Sequence, residues 1–324
     1  MKKNVFYIFY IVGSLLLINS VSSCSGKKKP VNGRTDTPVS GTISFYADES
    51  FSPIVEELRQ QFEYEFPEAH LKPIYTDETT GLKQIQDVKT HLLITSRGLL
   101  PSEMAYLETK KNQIPRVTPI GYDGIALIVN RNNNDTCMTV NDVKRVLSGE
   151  VKNWNEVYPG SNRGEIEVVF DNVQSATVHF VIDSILGGKP IKSSNVVGAK
   201  SSKEVIDYVD KTPNAIGVIG SNWLNDKRDS TNTTFKKNIH VMSISIKDKA
   251  TPLNSWKPYQ AYLLDGRYPF CRTLYTICTD PINALPWSFT NFISKPKGQL
   301  IIFKSGLLPY RGDISIRKVE TKRK

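Results

Sequence analysis

DGIALIVNRNNNDTCMTVNDVKRVLSGEVKNWNEV (123–157) is the stretch that decides how this chain folds. Gly124–Asn130 is an unbroken apolar run, as expected of a strand covered on both faces. TVNDVKRVLSG (139–149) is helical, with Thr139 as its N-cap. Strand followed by helix is the unit, and the rest of the chain repeats it. Upstream, GTISFYA (41–47) alternates with period two. Ile54, Val55, Leu58 and Phe62 then share one helical face, with Pro53 in the first turn. HLKPIY (70–75) and HLLIT (91–95) read as strands, and PSEMAYLETKK (101–111) as a helix. Downstream, IEVVF (166–170), AIGVIG (215–220), IHVMSIS (239–245) and CRTLYTIC (271–278) read as strands. Segments 177–188, 202–209, 288–293 and 298–306 read as helices, the last two parted at Pro296. A β-α-β-α order predicts an α/β fold with mainly parallel sheets flanked by helices.

The chain has 324 residues, which suits two domains of roughly 100–150 residues rather than one core. With 39% apolar and 23% charged residues, wholesale disorder is excluded. Four histidines (His70, His91, His179, His240) stand far apart and four cysteines form no C-x-x-C pair. Neither a metal site nor a cofactor is expected. The motifs of hydrolases, zinc proteases, P-loop proteins and dinucleotide binders are absent, so the chain does not read as an enzyme. The formal charge is +10. Lys27, Lys28 and Lys29 and the tail residues Lys318, Lys322, Arg323 and Lys324 supply much of it, and they read as solvated ends or contacts to anionic lipid. No aromatic platform or nucleic-acid motif accompanies them.

Lys2 and Lys3, an apolar segment over 5–21 and Ser22-Ser23-Cys24 have the layout of a secretory signal. The apolar segment, with Asn19 inside it, is shorter than the roughly 20 residues a span needs. Cys24 after small residues resembles a lipoprotein processing site. The expectation is a signal peptide over 1–23, lipidation of Cys24 and a flexible tether over 24–40. Cys271 and Cys278 stand about 23 Å apart in one strand, so any disulfide would need Cys137. Ordinary buried thiols are expected at all three.

Small hydroxyl residues recur just ahead of helices. Ser50-Phe51 precedes the helix at 53, Thr79-Thr80-Gly81 precedes LKQIQ, and Ser175-Ala176-Thr177 precedes the helix at 178. Ser96-Arg97 follows a strand. Each such point offers backbone N–H groups, a hydroxyl and the positive end of a helix dipole, a suitable set for an oxyanion. One alone is ordinary capping. Three at the carboxyl ends of strands lie where open α/β sheets bind ligands. Glu56-Glu57 and Asp77-Glu78 read as surface pairs.

DGIALIVN, Gly149, Asn153-Trp154, Ser175-Ala176-Thr177, VIDYVDKTPNAIGVIG (205–220) and LIIFKSGLLP (300–309) together resemble, in this order, the periplasmic phosphate-binding proteins of ABC transporters. The resemblance covers about 41–310. It implies the two-lobe type II periplasmic-binding-protein architecture, with lobe one at 41–125 plus 276–324 and lobe two at 126–275. GIALIVN and CRTLYTIC would be the two crossing hinge strands. It implies a monomeric, lipid-anchored periplasmic protein that captures inorganic phosphate and hands it to an ABC permease. Another tetrahedral anion such as sulfate or molybdate, or a surface interaction protein on the same fold, is the alternative. Arg311-Gly312-Asp313 is too short a match to favour the latter. The family's ligand contacts fall on Ser50, Phe51, Thr79, Ser175, Ala176 and Thr177. Its carboxylate falls on Arg97 and its arginine on Asp171, so the two charges are exchanged, and a swapped pair is the expectation. His179 and Lys83 are alternative cations that read as surface residues.

Overall fold

A computed structural model of the protein describes residues 33–225 and 235–312. Residues 1–35 and 36–324 form separate units, and the fold below is that of the second. The signal segment, Cys24, the basic tail and Asp313 lie outside the described residues.

In chain order the unit runs β1 (Gly41–Asp48), a 3-10 turn (Glu49–Phe51), α1 (Ser52–Glu65), β2 (Ala69–Thr76), α2 (Glu78–Gln86), β3 (Leu92–Thr95), α3 (Pro101–Lys110) and β4 (Arg116–Asn130). It continues with β5 (Cys137–Thr139), α4 (Val140–Leu147), α5 (Trp154–Val157), β6 (Glu167–Phe170), α6 (Ala176–Phe180), β7 (Val196–Gly198), α7 (Ser202–Lys211) and β8 (Ala215–Gly220). A 3-10 turn (Ser221–Trp223), β9 (Ile239–Val241), β10 (Ser243–Ser245), α8 (Gln260–Leu264), β11 (Cys271–Cys278), α9 (Leu285–Ser294), α10 (Pro296–Lys304) and β12 (Leu308–Pro309) complete it. The apolar run of 239–245 is two strands, because Met242 turns fully into the core between them. The helix at 177 is α for five residues and continues as one π turn over Val181–Ile185.

One sheet runs in the order β2-β1-β3-β11-β4-β8-β6-β7, with β12 and β9 also paired to β4. It is mixed. The outer pairs β1–β2, β1–β3, β6–β7 and β6–β8 are parallel, and every antiparallel pair involves β4 or β11. β4 is much longer than its apolar core suggested. Its first part pairs with β11 and β12, its second with β8 and β9.

The unbroken apolar run has a simple cause. Ile125, Leu127 and Val129 point into one core with α4, Trp154 and β6. Ala126 and Ile128 point into another with Val205, Ile206 and Val209 of α7. Both faces of the strand are buried, so no polar alternation survives. A third core gathers Phe45, Phe51, Phe62, Phe289 and Ile302 around β1, α1, α9 and α10. Thr139 caps α4 as expected, accepting from Asp142 N at 2.9 Å. Gly149 ends it with φ 77°, where a Cβ would run into Lys192 O. Trp154 is fully buried and its Nε1–H donates to Asn214 O at 2.9 Å. Cys137, Cys271 and Cys278 are unbonded, and only Cys278 is fully buried.

Candidate functional site

Ser50 is the hub of a buried polar cluster at the carboxyl end of β1. Asp48, the last residue of that strand, turns its carboxylate back over the 3-10 turn. Its Oδ1 accepts from Ser50 N at 2.9 Å and Ser50 Oγ at 2.5 Å. Its Oδ2 accepts from Ala176 N at 3.3 Å. Ser50 O accepts from Asn222 Nδ2 at 2.8 Å and Trp223 Nε1 at 2.9 Å. Ser50 Oγ accepts from Arg272 Nη2 at 3.1 Å.

Arg272 comes from β11 and is in register with Asp123 of β4. The pair is buried, with Nε at 3.0 Å and Nη2 at 2.8 Å from Asp123 Oδ2. Ser221 Oγ donates to Asp123 Oδ1 at 2.8 Å. The guanidinium lies 4.4 Å from the Phe51 ring centroid, so Phe51 meets the cation through its ring face.

Asp171 organises the turn ahead of α6. It accepts from Ser175 Oγ at 2.6 Å, Thr177 Oγ at 3.4 Å and Asn172 N at 2.9 Å. Ser175 caps the helix, accepting from Val178 N at 3.2 Å. Asp171, Ser175, Ala176 and Thr177 are all buried.

A fourth carboxylate is Glu78, expected at the surface and in fact buried. Asp77 caps α2 through Thr80 N, which turns Glu78 inward and leaves Thr79 exposed. Glu78 accepts from Thr95 Oγ at 2.9 Å, Ser96 Oγ at 2.8 Å and His179 Nδ1 at 2.9 Å. His179, also read as a surface residue, is half-buried by this contact; Lys83 is exposed.

The structure therefore brings Ser50, Phe51, Asp171, Ser175, Ala176 and Thr177 into one cluster and leaves Thr79 outside it. Arg97 is not brought to Asp171. It forms a two-pronged bridge to Glu103, at 2.8 and 2.9 Å, six residues away at the start of α3. A local carboxylate in fork geometry captures the guanidinium, so the swapped pair does not form. The cation beside Ser50 is Arg272. Asp48, Asp123, Asn222 and Arg272 were not singled out from the sequence. A signal existed for Arg272: it shares a strand face with Leu274 and Thr276, both buried.

Charge in the cluster is unbalanced toward acid. Burial pushes Asp48 up to about 7; Asp171 and Glu78 add to this, while Ser50 and Arg272 oppose it. Burial also raises Asp171. Burial raises Glu78 too, but bonds from His179, Ser96 and Thr95 outweigh it and the net shift is downward. The same contact raises His179. Neighbouring Glu49 accepts from Ser202 N and Oγ at 3.1 and 2.8 Å, at the start of α7. Chemically the cluster combines hydroxyl and amide donors from two turns, now held by Asp48 and Asp171, a dry guanidinium and one carboxyl, that of Asp48, pushed up to about 7. Such a set suits a ligand rich in oxygen.

Residues 32–296 match the family model described as a PBP superfamily domain. The chain is 22% identical over 314 residues to the phosphate-binding protein PstS of Bacillus subtilis, covering 95% of each chain. It is 22% identical over 276 residues to the PstS of Staphylococcus saprophyticus, covering 85% of this chain and 79% of the relative. Among solved structures it resembles a putative phosphate ABC transporter substrate-binding protein from Clostridium perfringens with bound phosphate. There the TM-score is 0.69 at 21% identity, over 84% of this chain and all of the other. It also resembles an ABC-type phosphate transport receptor from Vibrio cholerae, with a TM-score of 0.60 at 18% identity, over 83% of this chain and all of the other. At these identities the structural likeness speaks for the fold.

Proposed function

The chain belongs to the PBP superfamily, and from that premise we propose that it is an extracytoplasmic solute-binding protein that captures an oxyanion, inorganic phosphate first, for an ABC permease. One observation carries the reading: a buried guanidinium beside Ser50, with a buried N–H that has no protein partner, in a cluster that also holds the Ser175–Thr177 turn. An anion leaving water needs such donors to offset its desolvation. The relatives named for phosphate support the choice of ligand.

In this reading 41–125 plus 276–324 form one lobe and 126–275 the other, with β4 and β11 as hinges. The contacts Asp48–Ala176, Glu78–His179 and Glu49–Ser202 would then span the cleft and report its closure. Titration calorimetry with phosphate tests the capture reading. Thr177→Val keeps the shape and removes one hydroxyl, and it should weaken phosphate roughly ten- to hundredfold with little change in stability. Unchanged affinity would reduce the turn to a helix cap.

A second reading has its own observation: Asp48 and Asp171 already occupy the donors of both turns. A cleft filled by its own carboxylates fits a surface interaction protein on the same fold. No heat with phosphate at millimolar concentration, in a folded protein, would favour it.

Anchoring through Cys24 completes the proposal. A lipid on Cys24, which follows the apolar segment 5–21 and Ser22-Ser23, would supply the attachment. The N-terminal peptide of mature protein should carry it by mass; an unmodified chain beginning at Met1 would refute it.

A further inference from the structure

Five buried side-chain polar atoms among the described residues have no protein hydrogen-bond partner, and two of them belong to the residues that hold Ser50. One is a donor, Arg272 Nη1, and the other an acceptor, Asn222 Oδ1. Arg272 is 5% exposed and Asn222 8%. Arg272 grips the Ser50 hydroxyl through Nη2, and Asn222 grips the Ser50 carbonyl through Nδ2. The second bond settles which way the amide points. A carbonyl only accepts, so the NH2 group must face Ser50 and the oxygen is left over.

Gly220 lets the two side chains share this corner. A Cβ there would stand 2.9 Å from Arg272 Nη2 and 3.0 Å from Asn222 Nδ2. Asn222 therefore stays close to the cation although it comes from a different segment. Buried polar atoms left unmatched cost stability, and folded proteins keep few of them. An orphan donor and an orphan acceptor beside one serine are the complement of a ligand that carries both senses.

We infer that Asn222 reads the proton of the bound oxyanion: a bare ligand oxygen takes Arg272 Nη1–H, and a protonated ligand oxygen donates to Asn222 Oδ1. The inference rests on the oxyanion-capture reading and gives it a selection rule. Hydrogen phosphate and hydrogen arsenate offer both senses. Sulfate near neutral pH has no proton and would set a bare oxygen against a bare oxygen. Asp48, Asp123, Asp171 and Glu78 are the carboxylate acceptors nearby, but all four already receive the chain's own N–H and O–H groups. The amide oxygen is the one acceptor of this corner with nothing bound to it.

The test is competitive calorimetry near neutral pH with phosphate, sulfate and monofluorophosphate, the last two lacking a proton to donate. Wild type should hold phosphate at least about tenfold more tightly than either. In Asn222→Leu phosphate should weaken and the other two hold or gain affinity as the opposed oxygen is removed, so that the lead of phosphate shrinks to about twofold or less. Trp223 still donates to Ser50 O in that variant, so the turn keeps a partner. Asn222→Ala, which removes the acceptor without strain, should behave alike if the leucine does not fold. Discrimination that survives in either variant would hand the proton to a carboxylate and overturn the inference while leaving phosphate capture intact. Loss of all three anions together would make Asn222 a mere brace for Ser50 and overturn the inference as well. A wild type that binds none of the three would overturn this inference together with the capture reading beneath it.

Discussion

Arg272→Met should lower stability by about 3–5 kcal/mol and abolish detectable anion binding. Asp123 is 0% exposed and spends one oxygen on the guanidinium. Without that partner it is an uncompensated charge in a dry place, which costs far more than the pair itself contributes. The same change removes the cation beside Ser50. Urea midpoints and calorimetry separate the two losses. Arg272→Met combined with Asp123→Asn should recover most of the stability, because no buried charge is then left alone, yet none of the binding. If the double variant is no more stable than the single one, the cost lies in packing against Phe51 rather than in charge.

A second large effect should appear as a function of pH at Asp48. Its carboxyl is raised from about 3.8 in the unfolded chain to about 7 in the fold, first by burial. Between those values the folded state keeps a proton that the unfolded state has lost. The stabilisation is therefore complete below about 4 and disappears as pH rises through 7. The span amounts to a few kcal/mol, about 4 at the outside. Asp48→Asn never ionises; its one amide oxygen can still accept from Ser50, while Ala176 N–H loses its acceptor, a cost that does not vary with pH. Relative to wild type it should gain stability from pH 5 to about pH 7 and level off above that. Urea midpoints across that range read the difference. Parallel curves for the two proteins would mean that Asp48 ionises in the fold as freely as in water.

Much of the site was legible in the chain. Ser50 and Ser175–Thr177 stand just before helices; the Ser175 hydroxyl accepts from Val178 N in the first turn, while those of Ser50 and Thr177 turn to the neighbouring carboxylates. Glu78 and Thr79 show the limit. Both occupy the first turn of α2, and a rotation of one residue decides which turns inward; Asp77 sets it by capping Thr80 N. Arg97 is not the partner of Asp171 for a similar reason. The chain places Glu103 one short loop away, and a two-pronged local bridge prevails over a distant partner.

Periodicity and caps by themselves determined the order of strands and helices, the doubly buried run at Gly124–Asn130 and the two hydroxyl turns. These depend on residues within a few positions of one another, where backbone geometry leaves little choice. Which charges meet was decided only by the tertiary structure. Asp48, Asp123, Asn222 and Arg272 come from four separate segments, and no spacing along the chain relates them. Their meeting follows from strand register: β11 lies antiparallel to β4, which sets Arg272 opposite Asp123, and β8 delivers Asn222 to the end of β1. Register is fixed by the burial of whole sheet faces, a sum over many residues that no local window contains.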